Sequence, residues 1–211
     1  MRSVRDDRTA RAVIRDEALR LFAEHGPDAV SVRQIAAAAG VSAALVVHHF
    51  GSKEALREVV DHHVLETFDA MLTEMTGEQA PDLYDPAATG SLVEAVLRHL
   101  PPDSPMPAYL RRMLLTDSEA GKELFAKIFA VSEGMLAALS EAGMAAPGAD
   151  PAVRAAFLMA NDLAVLLLRD RLTEVLGVDP LSQEGMARWA AEVLAVYARG
   201  LSPSLEVGDA S

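Results

Sequence analysis

The sequence contains no cysteine. That excludes disulfides, thiol nucleophiles and thiolate metal ligands together, and nothing marks an oxidising compartment. Aromatic residues are only 5% of the chain, and strictly alternating β-branched or aromatic runs are missing, so a sheet has little to be built from. No stretch reaches the ~18 uncharged apolar residues that would span a bilayer. The opening Met1-Arg2-Ser3-Val4-Arg5 is basic with no apolar run behind it, unlike a secretory leader. These absences imply a cytoplasmic protein with no membrane partner. There is also no nucleophile elbow, metal-ligand spacing or glycine-rich phosphate loop, so neither an enzyme nor a metal or other cofactor is expected.

What remains is 51% apolar and dominated by Ala, Leu and Val over 211 residues, which points to an all-α fold of one large or two small domains. The net charge of −12 is unevenly placed. Residues 1–60 carry nine lysines and arginines against eight acids, and the rest carries ten against twenty-three. Arg2, Arg5, Arg8, Arg11 and Arg15 crowd the first fifteen residues. Basic character therefore belongs to the N-terminal end, and the acidic body serves to keep the chain in solution.

Helical periodicity starts there. Ile14, Ala18, Leu21 and Phe22 make one stripe over a helix from about Thr9 to Glu24, which Gly26-Pro27 stops. Ser31 opens a second helix with a capping box, since Gln34 lies three residues on. Ile35, Ala36 and Ala39 face inward, and Gly40 ends that helix. After a tight corner Ser42 caps a third segment to Phe50. At 100° per residue, Val46 and Phe50 share one side of it while Ala44 and His48 point the other way. Gly51-Ser52 breaks the chain, and a long helix runs from Lys53 to about Met75 on the stripe Leu56, Val60, Val64, Phe68, Met71 and Leu72. Thr76 to Gly90 reads as a connection. Further helices are expected over Ser91–Leu100, Pro107–Leu115, Ser118–Glu141, Pro151–Leu176 and from Ser182 to about Leu201.

The run Ser31-Val-Arg-Gln-Ile-Ala-Ala-Ala-Ala-Gly40-Val-Ser followed by Leu45-Val-Val-His-His-Phe50-Gly-Ser-Lys53-Glu-Ala-Leu56 resembles the DNA-binding head of the TetR family of bacterial regulators. The likeness covers about residues 9–60. It implies a three-helix helix-turn-helix head, residues 1–58, and a helical ligand-binding and dimerisation body, residues 59–211. It also implies a one-component regulator, most often a repressor, that binds operator DNA as a homodimer and is released by a small-molecule effector. One departure stands out: Val47 occupies a position where the family usually has Tyr, which removes one backbone contact and leaves a more apolar reading helix.

Physical roles follow from the residues themselves. Ser31, Ser42 and Lys53 stand at helix starts, whose free amides suit a phosphate. Such contacts position a protein without reading sequence, so reading falls to Arg33, Ala43, Ala44, Val47 and His48, with His49 beside them. Arg33 can pair with guanine and the methyl groups can meet thymine. The N-terminal arginines either follow phosphates, enter the minor groove, or fray in solvent. His48-His49 and His62-His63 are not metal pairs, because adjacent helical residues diverge by 100°.

In the body, Phe68, Met71, Leu72, Met75, Met113, Phe125, Phe129, Met159 and Leu163 are candidates to line a ligand pocket, or else plain core. Asn161 interrupts an apolar helix and needs a partner, either a ligand or a cross-dimer bond. Val165 to Leu168, then Trp189, Val193, Leu194, Val196 and Tyr197, are apolar over more than one face, as a four-helix dimer interface or a monomeric core would require. A DNA-binding regulator controlled by a partner protein, with no small ligand, stays open at this point.

Overall fold

The computed structural model describes residues 4–76, 88–143, 145–146 and 148–200. Among them are ten helices and no strand: α1 (Val4–His25), α2 (Val32–Ala38), α3 (Ala43–Phe50), α4 (Lys53–Thr76), α5 (Ala88–His99), α6 (Met106–Leu115), α7 (Glu119–Glu141), α8 (Pro151–Leu167), α9 (Arg169–Leu176) and α10 (Gln183–Gly200). A single 3-10 turn, Pro27–Ala29, links α1 to α2. The expected breaks recur at the residues that cause them. Ser52 accepts from the Ala55 amide at 3.0 Å, Asp150 from Val153 at 3.1 Å, and Ser182 from Gly185 at 3.1 Å, each opening its helix.

Three boundaries differ from the sequence reading. The first helix begins at Val4 rather than Thr9, since no glycine or proline stands between them to interrupt it. α5 begins at Ala88, three residues inside the stretch read as a connection. The expected Pro151–Leu176 helix is two helices, turned by 78°. Leu168 leaves helical geometry at φ −109° and ψ 16°, and beyond it Arg169 grips Asp179 with Nε–Oδ1 at 3.0 Å and Nη2–Oδ2 at 2.5 Å. Asp179 also accepts from the Leu181 amide at 3.0 Å. This fork holds the start of α9 against the turn that follows it, and the neighbouring guanidinium keeps the Asp179 pKa below the ordinary carboxylate range.

The chain forms two compact units. The first comprises residues 1–80 and 98–121 and so holds α1 to α4 with α6. α1 lies against α2, α3, α4 and α6. Its stripe Ile14, Ala18 and Phe22 meets a core in which Ile35, Val46, Leu56, Val60 and Leu110 are fully buried, each worth roughly 1.5–3 kcal/mol of transfer free energy. Two polar ties join α6 to the same assembly. Arg112 donates through Nη2 to the Ala23 and Glu24 carbonyls at 3.3 and 3.5 Å, satisfying the last turn of α1. The Tyr109 hydroxyl donates to Asp61 Oδ1 on α4 at 2.5 Å.

The second unit comprises residues 81–97 and 122–211. Leu136 of α7 and Ala155 of α8 enclose Ala145, with Phe129, Leu139 and Leu158 packed around them. Val153 and Phe157 on α8, Leu168 after it, and Val175 on α9 stay exposed, Phe157 to 70% and Val175 to 82%. Among the described residues no single helix is long and apolar enough to cross a membrane.

Candidate nucleic-acid interface

The α2–α3 corner is made by local chemistry. Ser31 Oγ accepts from the Gln34 amide at 3.3 Å while Gln34 Oε1 accepts from the Ser31 amide at 2.8 Å, which is the expected capping box. At the other end of α2, Gly40 takes φ +66°, a left-handed conformation that side chains with a Cβ resist. Its amide bonds Ala37 O at 3.3 Å and the Val41 amide bonds Ala36 O at 2.9 Å. That pair of bonds closes α2 and turns the chain sharply. Ser42 then accepts from the Leu45 amide at 3.2 Å, and α3 begins.

α3 is divided as its periodicity requires. Val46 and Phe50 are buried, whereas Ala44, Val47 and His48 are exposed, Val47 to 49%. Ala43 and His49 are half-buried on its flanks. Arg33, near the start of α2, is exposed. The structure thus brings Arg33, Ser42, Ala44, Val47 and His48 to the surface of two adjoining helices. The hydroxyls of Ser31 and Ser42 are engaged with backbone amides, so an approaching phosphate would meet the helix-start amides themselves.

Lys53 has a structural engagement not visible in the sequence: its Nζ donates to Pro27 O at 3.0 Å, tying the start of α4 to the 3-10 turn. His48 and His49 have ring centroids 5.5 Å apart and meet edge to face. His49 lies in the same manner against Phe50. Asp61 turns to Tyr109, and His62 pairs with exposed Glu66 at 3.1 Å. No cluster of three metal-ligating side chains occurs among the described residues.

From the sequence, Arg11 is only one of the N-terminal arginines that follow phosphates, enter the minor groove or fray in solvent. Its guanidinium sits over the Phe50 ring, 5.2 Å from the centroid, which holds a cation beside the end of α3. The signal was present: Arg11 precedes Ile14 by three residues and therefore shares its side of α1.

The pocket candidates are dispersed over both units. Phe68 and Met71 of α4 and Met113 of α6 are buried in the first unit, with Leu72 half-buried beside them. In the second, Met159 is buried, Phe125 is 48% exposed and Phe129 packs near Leu136. Asn161 is half-buried and its side chain hydrogen-bonds the neighbouring Asp162 carboxyl, so it has a polar partner within its own helix. Leu201 and the tail lie outside the described residues, as does most of the proposed connection.

Comparison with known proteins agrees with this geometry at both ends. Residues 14–60 match the family model of bacterial regulatory proteins of the tetR family, and residues 102–202 match a tetracyclin repressor-like C-terminal domain. The HTH-type transcriptional regulatory protein RaaS of Mycobacterium tuberculosis is 40% identical over 152 residues, 72% of this chain and 67% of RaaS. Among solved structures, the fatty acid degradation regulator FadR from Bacillus halodurans aligns with a TM-score of 0.64 at 18% identity, over 90% of this chain and 98% of FadR. SmeT, the repressor of the Stenotrophomonas maltophilia multidrug efflux pump SmeDEF, aligns with a TM-score of 0.62 at 24% identity over 89% of each chain. SmeT also has a solved triclosan complex, which aligns with a TM-score of 0.59 at 21% identity, over 90% of this chain and 91% of that one.

Proposed function

Since the chain belongs to the TetR family of bacterial regulatory proteins, and is a transcriptional regulator with a helix-turn-helix DNA-binding domain rather than an enzyme, we propose that it is a repressor. It binds operator DNA as a homodimer in the cytoplasm and is released by a small-molecule effector. Residues 1–58 form the DNA-binding domain and residues 59–211 the body. The observation that carries this reading is the two-sided α3, with Val46 and Phe50 buried and Ala44, Val47 and His48 exposed next to Arg33.

On DNA, the amides at the starts of α2, α3 and α4 take phosphates, joined by Lys53 and by Arg11 on its aromatic seat. Arg33 and His48 supply hydrogen bonds to base edges, and Ala43, Ala44 and Val47 supply methyl contacts. His49 is a flanking contact. Two such heads must reach successive major grooves about 34–36 Å apart, which is why a dimer is required. The exposed apolar residues Val153, Phe157 and Leu168 support α8 as part of that dimer's interface.

Effector release has support in the triclosan complex of SmeT. Within this chain Phe68, Met71, Leu72, Met113, Phe129 and Asn161 are the proposed contacts. Selection of bound fragments from a random DNA pool, followed by a metabolite screen for release, tests operator and effector together. Light scattering tests the dimer: Phe157→Glu should halve the mass. A wild-type chain that is monomeric at micromolar concentration overturns the interface.

A further inference from the structure

Within the first unit lies a cleft of about 230 Å³. Its walls come from the end of α1 and the 3-10 turn, from Arg57 and Asp61 on α4, and from Tyr109, Arg112 and Met113 on α6. We propose that this cleft is a binding site for a small organic monocarboxylate, sharing only Met113 with the body residues named above.

The guanidinium of Arg112 carries the argument. It is laid along the last turn of α1, and Gly26 permits this at φ +84°: a Cβ there would stand 3.0 Å from Arg112 Nη1. Nη2 reaches two main-chain carbonyls, yet Nε is shielded from solvent and has no hydrogen-bond partner among the described residues. A buried guanidinium N–H without an acceptor is costly, and the planar group that satisfies a guanidinium edge is a carboxylate.

Charge and size narrow the ligand. Asp61 is already engaged, by the Tyr109 hydroxyl at 2.5 Å and by Arg57 Nε at 3.8 Å. Asp28 on the rim is exposed. His25, also on the rim, is exposed and lies 3.5 Å from the Glu24 carboxylate, which leaves one arginine edge to match and favours a monoanion over a phosphate dianion. The volume corresponds to about eight waters at ~30 Å³ each, room for a ring or a short chain. Pro27, Ala29 and Met113 supply apolar surface for that part. An occupant of this site would share an arginine with the C-terminal turn of α1, and so with the helix against which α2 and α3 pack.

The test uses the full chain without DNA, so its outcome is independent of the operator-binding reading. Sodium benzoate is titrated at constant ionic strength with chloride as the balancing anion, and ligand-observed NMR reads occupancy. Benzyl alcohol is the neutral isostere. Saturable benzoate binding is expected in the low millimolar range, at least tenfold tighter than benzyl alcohol. Arg112→Lys keeps the charge but not the planar fork and should weaken benzoate about tenfold. Ala29→Phe, a substitution at an exposed rim position, should abolish it by filling the cleft. Equal binding of the two ligands, unchanged binding in Ala29→Phe with native circular dichroism, or no saturation with the wild type each overturns the proposal.

Discussion

Removing the Tyr109 hydroxyl should destabilise the first unit in a pH-dependent way. Tyr109 is 2% exposed and donates to Asp61 Oδ1 at 2.5 Å. In Tyr109→Phe the ring still fills its place, but Asp61 keeps only the longer Arg57 contact at 3.8 Å. A hydrogen bond to a charged group is worth about 1.5–3 kcal/mol. For a chain of this size that corresponds to a fall in Tm of roughly 3–12 °C. Burial holds the Asp61 pKa above its ordinary value, against the lowering effect of the Tyr109 bond and of Arg57. Deleting that bond raises the folded pKa further. A carboxyl whose folded pKa is raised loses stability as pH climbs from the unfolded toward the folded value. The deficit of Tyr109→Phe should therefore be largest at pH 7 and shrink as pH falls toward 4. Urea and thermal unfolding at both pH values, repeated in an Asp61→Asn background, complete the cycle. In that background the hydroxyl should be worth only about 0.5–1.5 kcal/mol. A cost below about 0.5 kcal/mol at pH 7, or one that Asp61→Asn leaves unchanged, refutes the reasoning.

Three further outcomes are expected. Ser31→Ala breaks the capping box and should cost about 1 kcal/mol in urea unfolding, with a matching loss of affinity for DNA because α2 carries Arg33. Val47→Tyr restores a phosphate-directed hydroxyl and should tighten DNA binding by roughly 1 kcal/mol in fluorescence anisotropy. Its salt dependence should not change, since a neutral group releases no counterion. Arg169 holds the Asp179 pKa down, so this pair adds stability that is present above the unfolded carboxylate pKa and is lost as pH falls through the depressed folded value. Acid unfolding of Arg169→Leu should consequently differ from the wild type least at the lowest pH.

Caps and corners were legible because their cause and effect lie within a few residues. Ser31 with Gln34, Gly40, Ser42, Ser52 and Asp150 each specify their turn locally, and the inward and outward sides of α3 follow from its period alone. The break at Leu168 comes at the end of an apolar run with no glycine or proline to mark it, and the residue that stabilises it, Asp179, lies ten positions beyond Arg169. Long-range polar ties were equally invisible. Lys53 reaches back to Pro27 across 26 positions, and Arg112 reaches Ala23 across 89. Nothing in local pattern announces either. The charge division along the chain did locate the DNA-facing end, yet Arg11 was read as one of a basic cluster when Phe50 gives it a fixed seat.

The central claim is that α2 and α3 read double-stranded DNA, and the most direct measurement is a salt series on DNA selected by the wild-type chain from a random pool. Log affinity should fall linearly with log salt, by about 0.9 for each phosphate neutralised. Arg33→Ala combined with His48→Ala should lose about 1–3 kcal/mol of preference per base contact removed, bringing selected DNA close to scrambled DNA, with circular dichroism unchanged. Full discrimination retained in that double variant, or no salt-dependent binding by the wild type, would contradict the account.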